Sequence, residues 1–345
     1  MRTVRQALVP SSEASRAIPE MMSRGIADRS AKISGDGAFR RVPVAEGREA
    51  DAEAMGYALA EGPAHSLGRA SPQERILEAF SDVDGAESFL PMRWETVGDV
   101  AIIKAGAVPP GLKGRVGRTY AEILGAKAVC SDSSGVSGEL RRPSMEVLYG
   151  SDAKSVRTEN GIRYGFDATK VMYASGNTAE RARMGGLDCS GETVVDMFAG
   201  IGYFTLPIAR FAGARRVFAC EKNPESYGFL LENIRLNGVG GTVIPVLGDN
   251  RGMPGKGFAD RIVMGYVQST RLFLPKALEM IRPGGVIHYH DTLPSDGIEA
   301  EVGAIFERAC GGGFEIERLA EVKSFAPRVS HCVADVRVLR PTRRS

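Results

Sequence analysis

From about Glu180 onward the chain alternates short apolar strands with segments of helical period, and this alternation limits the fold more than any other feature. The expected strands are Thr193–Phe198, Arg216–Cys220, Thr242–Leu247, Arg261–Met264 and Val286–Tyr289, with helices at Pro224–Asn237 and Leu272–Ile281. Strands alternating with helices in this way imply a parallel sheet covered by helices on both faces. Asn223 suits the N-cap of the first of these helices, Pro224 its first turn, and Asn237-Gly238 its stop. The tail holds two strands, Phe314–Val322 and Cys332–Leu339, with no helix between them, so they are expected to pair antiparallel and close the sheet. The expected class is α/β, Rossmann-like.

The segment Asp196-Met197-Phe198-Ala199-Gly200-Ile201-Gly202-Tyr203-Phe204 leaves the first strand and opens a helix. Gly200 and Gly202 permit a tight turn and a close approach of backbone to ligand. Two glycines alone often mark nothing more than a strand–helix turn. The third glycine of a dinucleotide fingerprint is missing, with Leu206 nearby, which disfavours NAD. Two downstream features strengthen the signal. Glu221 follows the second strand, where a carboxylate accepts both hydroxyls of a ribose. Gly248-Asp249-Asn250 follows the third, within reach of an adenine amine. All three turns fall on the carboxyl edge of one sheet, where such folds bind ligands. The pattern is that of an S-adenosylmethionine (SAM) site, with Asp196, Phe198, Gly200, Gly202, Glu221, Asp249 and Asn250 as its expected residues.

Other groups surround that edge. Lys170, Arg181 and Arg183 precede the first strand, and Arg181 is the candidate clamp for the cofactor carboxylate, since arginine offers a rigid two-point fork. The fourth strand exits through Gly265-Tyr266-Val267, where amino-group methyltransferases often place Asn-Pro-Pro or Asn-Leu-Pro. The missing amide argues against N-methylation and makes Gly265 and Tyr266 candidate substrate contacts. His288 and His290 share a face of the fifth strand. No third ligand accompanies them, so a structural role is expected and no metal.

The rest of the chain is less regular. Residues 1–45 are expected to form a small α/β module, with a helix from Ser11-Ser12-Glu13 to near Gly25 and strands at Ala31–Ile33 and Phe39–Val44. Residues 46–87 read as a linker or irregular segment. Residues 88–179 read as an α+β middle domain that touches nucleic acid, with a strand at Val97–Lys104 and a helix at Lys113–Leu124. Residues 180–345 form the cofactor-binding domain. Lys and Arg total 44 against 42 Asp and Glu, a net charge of +2, which excludes a polycation but leaves room for a local basic face. No run reaches the roughly 18–20 apolar residues of a membrane span. The N-terminus lacks the apolar stretch of a secretory signal. The five cysteines are scattered without CxxC spacing, which supports neither a disulfide framework nor a zinc site and fits a cytoplasmic location.

Asp196–Leu206 (DMFAGIGYFTL), Glu221–Asn237 (EKNPESYGFLLENIRLN), Gly248–Arg251 (GDNR) and the Lys170–Met184 block resemble the class I tRNA-modifying enzymes that act on the purine at nucleotide 37. Pro91–Gly98 (PMRWETVG), Gly138–Arg142 (GELRR) and Glu146–Gly150 (EVLYG) match as well, so the resemblance covers about residues 88 to 300. This superfamily joins tRNA guanine-N1-methyltransferases with wybutosine-synthesis aminocarboxypropyltransferases. DRIVMGYV and VIHYHDT resemble the second branch, in its archaeal form. One departure is Ala174, where the family often carries serine. Any side-chain bond to the cofactor is lost there, and only a backbone contact is left.

The resemblance implies a class I SAM-dependent methyltransferase fold and SAM as co-substrate. It implies transfer of the 3-amino-3-carboxypropyl group to 4-demethylwyosine at nucleotide 37 of tRNA(Phe), with methylthioadenosine released. The partner is the anticodon stem-loop. Such a site must present the methionine γ-carbon rather than the methyl, at about 3–3.5 Å from the nucleophile. Glu180 matches a family carboxylate and is the candidate general base, weakened by its basic neighbours. Arg93, Lys113, Arg115, Arg118, Arg141 and Arg142 make up a candidate phosphate-gripping face, with Arg141 and Arg142 the leading substrate contacts. The alternatives are guanine-37 N1-methylation and a catalytically silent tRNA-binding protein.

Overall fold

Seven strands form the sheet that carries the site: β1 (Thr193–Asp196), β2 (Arg216–Glu221), β3 (Val243–Leu247), β4 (Ala259–Met264), β5 (Ile281–Pro294), β6 (Phe314–Ala326) and β7 (Val329–Val338). Their order is β3-β2-β1-β4-β5-β7-β6. The first five are parallel, and β7 lies antiparallel between β5 and β6. The expected closing pair is therefore present. The structure is a computed structural model, and it describes residues 3–35, 37–63, 70–137, 142–267 and 269–339.

Central strands of a parallel sheet are covered on both faces, and every residue of β1 is buried. Helices α1 (Thr178–Gly185), α2 (Thr205–Phe211), α3 (Pro224–Leu236), α4 (Leu274–Met280) and α5 (Ile298–Cys310) flank the sheet. Two apolar clusters flank it as well, one around Val194, Leu206, Val217 and Leu230, the other around Val195, Ile262, Ile287 and Phe306. Helix α3 starts as its sequence suggests: Asn223 accepts a hydrogen bond from the Glu225 N–H at 3.0 Å, and Pro224 occupies the first turn.

Strand β1 ends two residues before the expected Phe198. The Asp196 carboxylate turns the chain by accepting hydrogen bonds from the Phe198 N–H (3.2 Å) and the Thr205 hydroxyl (2.7 Å).

Residues Ala79–Ser345 form one unit, so the middle region packs with this sheet. It holds a four-stranded sheet of Trp94–Val97, Val100–Ile103, Ala128–Ser137 and Arg142–Tyr149, with a helix over Lys113–Leu124 as expected. The single strand expected at Val97–Lys104 is two strands, because the chain reverses at Gly98, whose φ is +60°. A further hairpin, Lys154–Glu159 with Ile162–Asp167, is pinned to α3. Buried Asn233 accepts from the Gly165 N–H (2.6 Å) and donates to the carbonyls of Gly165 (3.0 Å) and Ile201 (2.9 Å).

Residues Met1–Glu78 form the other unit. Its sheet runs Ser34–Gly35, Phe39–Pro43, Thr3–Pro10, Ala58–Pro63, with helices at Ala14–Ser23 and Glu49–Ala54. This corrects the expectation for residues 46–87. Ala58–Pro63 has little β-branched character and reads as irregular, but it pairs along Thr3–Pro10 as an edge strand.

Candidate functional site

The carboxyl ends of β1, β2, β3 and β4 open onto a cavity of about 580 Å³. Its floor is built by the loops that follow those strands. Gly200 adopts φ +56° and donates its N–H to Glu221 Oε2 at 2.8 Å. Glu221 Oε1 accepts from the Asn223 N–H at 2.7 Å. The carboxylate is therefore fixed by backbone donors at the cavity wall. Burial pushes its pKa up against the lowering effect of those bonds.

Asp249 also lines the cavity. Its carboxylate is gripped by Arg251 (2.6 and 2.9 Å) and by Lys222 (3.1 Å), and these cations, Arg251 first, hold it well below the usual carboxylate range. Asn250 is 5% exposed and donates to the Met197 carbonyl at 2.8 Å. Its Oδ1 is buried with no hydrogen-bond partner among the described residues. An orphaned acceptor costs about 1–3 kcal/mol. A ligand amine donating to it from the cavity would relieve that cost. An adenosine needs acceptors for its hydroxyls and amine, and Glu221, Asp249 and Asn250 supply them, so the residues present fit SAM. Phe198, Tyr266 and Phe273 add an aromatic wall, with ring centroids 4.9–5.9 Å apart.

Several expected site residues lie elsewhere. Asp196 is fully buried and absent from the cavity lining, because its oxygens hold the loop through Phe198 and Thr205. Burial raises its pKa to about 6. Gly202 also lies off the cavity; at φ +103°, a Cβ there would meet Leu206 at 2.8 Å. Lys170 is half exposed and lies 3.8 Å from Glu225. Arg181 lines the cavity, but its fork belongs to Glu159, with Nε to Oε1 at 2.6 Å and Nη2 to Oε2 at 2.9 Å. Its Nη1 donates to the Ala174 carbonyl at 2.6 Å, and the rings of Tyr203, Tyr173 and Tyr164 surround it at 5.3–6.0 Å. The Ala174 N–H donates to the Tyr203 hydroxyl at 3.1 Å, so both backbone groups of Ala174 are engaged within the protein.

Glu180, the candidate base, is 5% exposed and does not line the cavity. Arg183 binds it at two points, 2.6 and 2.9 Å, and also binds Asp335 at 2.7 Å. Asp335 meets His288 Nδ1 at 2.6 Å, His288 Nε2 meets Arg261 at 2.9 Å, and Arg261 pairs with Glu192. His288 thus has the structural role expected of it.

Arg141 lies outside the described residues. Arg142 begins the strand Arg142–Tyr149, and its side chain is outside the description. Of the other basic residues, Lys113 pairs with Glu146 (2.6 Å) and Arg115 with Asp82 (2.6 Å). Gly265 and Tyr266 line the cavity. The sequence reading missed Glu159, Tyr203, Lys323 and His331. The last three line the cavity, and Lys323 and His331 come from β6 and β7.

The TRM5/TYW2 methyltransferase domain model matches residues 155–316, and the TYW2 N-terminal domain model matches residues 75–153. A tRNA(Phe) (4-demethylwyosine(37)-C(7)) aminocarboxypropyltransferase of Pyrococcus horikoshii is 43% identical over 254 residues, which is 73% of this chain and 91% of that protein. The crystal structure of P. horikoshii TYW2 in complex with MeSAdo is 40% identical, with a TM-score of 0.67, and covers 77% of this chain and 99% of that one. The crystal structure of Trm5b from Pyrococcus abyssi is 31% identical, with a TM-score of 0.71, and covers 97% of this chain and 99% of that one.

Proposed function

We propose, from the premise that this chain belongs to the TRM5/TYW2 family, that it transfers the 3-amino-3-carboxypropyl group of SAM to C7 of 4-demethylwyosine at nucleotide 37 of tRNA(Phe). It is a SAM-dependent tRNA aminocarboxypropyltransferase, and methylthioadenosine is its by-product. The observation that carries this reading is the 43% identity to the P. horikoshii aminocarboxypropyltransferase, of which the chain covers 91%. The exit of β4 supports it. Gly265-Tyr266-Val267 presents no side-chain amide to a ring nitrogen, and the space beside Gly265 is filled by Phe204.

When bound, SAM supplies an activated carbon next to a sulfonium. The rest is work for the chain. Glu221, Asp249 and Asn250 seat the adenosine. Phe198, Tyr266 and Phe273 offer flat faces to a purine or a tricycle. Arg181 acts as a positioning residue: paired with Glu159, it holds through the Ala174 carbonyl the 172–177 segment that lines one side of the cavity. Its guanidinium is not free to clamp a carboxylate. The acceptor base must leave its stack at a cost of a few kcal/mol. Cations in the Arg141-Arg142 segment are the proposed phosphate contacts that offset it on the anticodon stem-loop.

N1-methylation of guanine 37 is the second reading. It is favoured by the likeness to Trm5b, which extends over 97% of the chain against 77% for the TYW2 structure. Mass spectrometry of tRNA(Phe) carrying the tricyclic precursor separates the two. An aminocarboxypropyl mass gain with an equal amount of methylthioadenosine supports the first. S-adenosylhomocysteine and N1-methylguanosine support the second. Binding of tRNA with no turnover of SAM would mean a silent binding protein.

No helix among the described residues is long and apolar enough to cross a membrane. A cytoplasmic site of action is proposed with the rest.

A further inference from the structure

A file of three titratable groups runs from the cavity wall into the interior. His331, on β7, lines the cavity and is 3% exposed. Its Nε2 lies 3.4 Å from Nδ1 of His290 on β5. His290 is 1% exposed, and its Nε2 has no hydrogen-bond partner among the described residues. That nitrogen points towards Glu180 Oε1, 3.8 Å away. An unpaired imidazole nitrogen at this depth is costly, and apolar packing alone would not select it. The His290 ring lies against Phe204, centroids 5.2 Å apart, so its plane is set.

Resting on the function proposed above, we propose that His331 accepts the proton displaced from the acceptor carbon and that His290 and Glu180 carry it inward. The electron balance requires such a group. The base donates an electron pair from its carbon to the γ-carbon of the donor arm. The carbon–sulfur bond breaks with its pair left on sulfur, giving a neutral thioether. The positive charge now sits on the base, and loss of the carbon-bound proton restores its neutral ring. That proton bonds to one nitrogen of His331. The other nitrogen, Nε2, passes its proton to His290 Nδ1, and His290 Nε2 passes one to Glu180.

The surroundings suit transfer rather than storage. Lys323 lines the same cavity, and its charge, after burial, disfavours an imidazolium at His331, whose pKa falls to about 4. His290 faces His331, His288, Arg183, Asp335 and Glu180, and with burial the net effect keeps it neutral. Both imidazoles therefore wait unprotonated. Glu180 is the anion at the end of the file, anchored by Arg183.

The test uses the full chain with tRNA(Phe) carrying the tricycle, under single-turnover conditions. His331→Ala is expected to slow the chemical step by about 10²-fold or more, the low end for general acid–base groups, while SAM and tRNA affinities stay close to wild type. Added imidazole should restore rate to His331→Ala. His290→Phe, which keeps a ring against Phe204 but removes both nitrogens, should also lose rate. Should His331→Ala fail to fold, His331→Gln takes its place in the same measurements. A folded, binding-competent His331 variant with wild-type rate overturns the relay, as does a slow variant that imidazole does not rescue. Wild type that releases no methylthioadenosine overturns the underlying function as well, which separates the two failures.

Discussion

Arg181 and Glu159 are 22 residues apart in the chain and meet in a two-point ion pair beside the cavity, at 2.6 and 2.9 Å. Arg181 is 1% exposed and Glu159 is 8% exposed. Burial pushes the Glu159 carboxyl up, but the Arg181 hydrogen bonds outweigh it and hold the pKa below its usual value. The pair joins the hairpin of the middle region to the helix before β1.

Removing one partner of a buried pair leaves the other charge uncompensated, at about 3–5 kcal/mol. Glu159→Gln is therefore expected to lower stability by an amount in that range. Replacing both, as Glu159→Leu with Arg181→Met, should recover much of the loss. Chemical denaturation of the single and double variants measures it. A single variant within 1 kcal/mol of wild type, to about the error of the method, would mean the pair is not uncompensated when broken.

This pair also marks the limit of what was legible in the sequence. The alternation after Glu180, the capped helix after Asn223 and the three turns carrying Gly200, Glu221 and Asp249 were readable, because each is a local pattern. Glu159 ends a hairpin strand with nothing nearby to suggest burial. Only the packing of this hairpin against the helix before β1 brings it to Arg181. Asp196 and Gly202 looked like ligand contacts because they fall inside the motif, yet they shape the loop from behind. His331 was invisible for another reason. Strand β7 inserts between β5 and β6, which carries a residue from the far tail to the cavity.

Glu221 has two duties, one to the ligand and one to the loop. Glu221→Gln keeps the bond from one backbone donor and loses the charge, so SAM affinity is expected to fall by about 1.5–3 kcal/mol, the range for charged hydrogen bonds. Glu221→Ala should lose at least as much and also loosen Gly200, whose N–H then has no carboxylate. Titration calorimetry with SAM compares them. Unchanged affinity in both variants removes Glu221 from the site.

Stability should fall with acid in a way traceable to His331. Its folded pKa is lowered to about 4 from an ordinary 6.5, chiefly by burial. Stability from the neutral ring is therefore fully present above pH 6.5 and is lost as the pH falls towards 4, because the unfolded chain takes up a proton that the folded one refuses. The slope is about 1.4 kcal/mol per pH unit for one group. His331→Gln should flatten that limb of the denaturation profile between those values. His290, lowered further by burial and by His331, adds to the same limb. An identical slope in the variant would show that His331 titrates normally.

Binding of tRNA should depend on salt, since phosphate contacts release counterions. Lys113 and Arg115 are already tied to Glu146 and Asp82, and the Arg141-Arg142 segment is the pair proposed for the test. Arg141→Glu with Arg142→Glu should weaken tRNA far more than SAM. Equal tRNA affinities at low salt for the variant and wild type would place the contact elsewhere.

Gly265 stands where an amide would sit in an N-methylating site, and its neighbour explains why no side chain is there. A Cβ on Gly265 would come within 2.7 Å of Cε2 and 3.0 Å of Cδ2 of Phe204. Phe204 is 5% exposed and packs on His290, so its ring has little room to retreat. Gly265→Asn with Val267→Pro, the substitution that would recreate the methylating sequence, is thus expected to strain the core. Overpacking of this kind costs about 1–3 kcal/mol. It should produce no N1-methylguanosine, because the cofactor arm would still be presented by its γ-carbon. Adding Phe204→Ala relieves the collision and should return part of the stability without conferring methylation. Thermal melting reads the first effect and nucleoside mass spectrometry the second. Wild-type stability in Gly265→Asn would show that Phe204 yields freely, and N1-methylguanosine from the triple variant would mean that one strand exit, rather than the seating of the cofactor, selects which carbon is transferred.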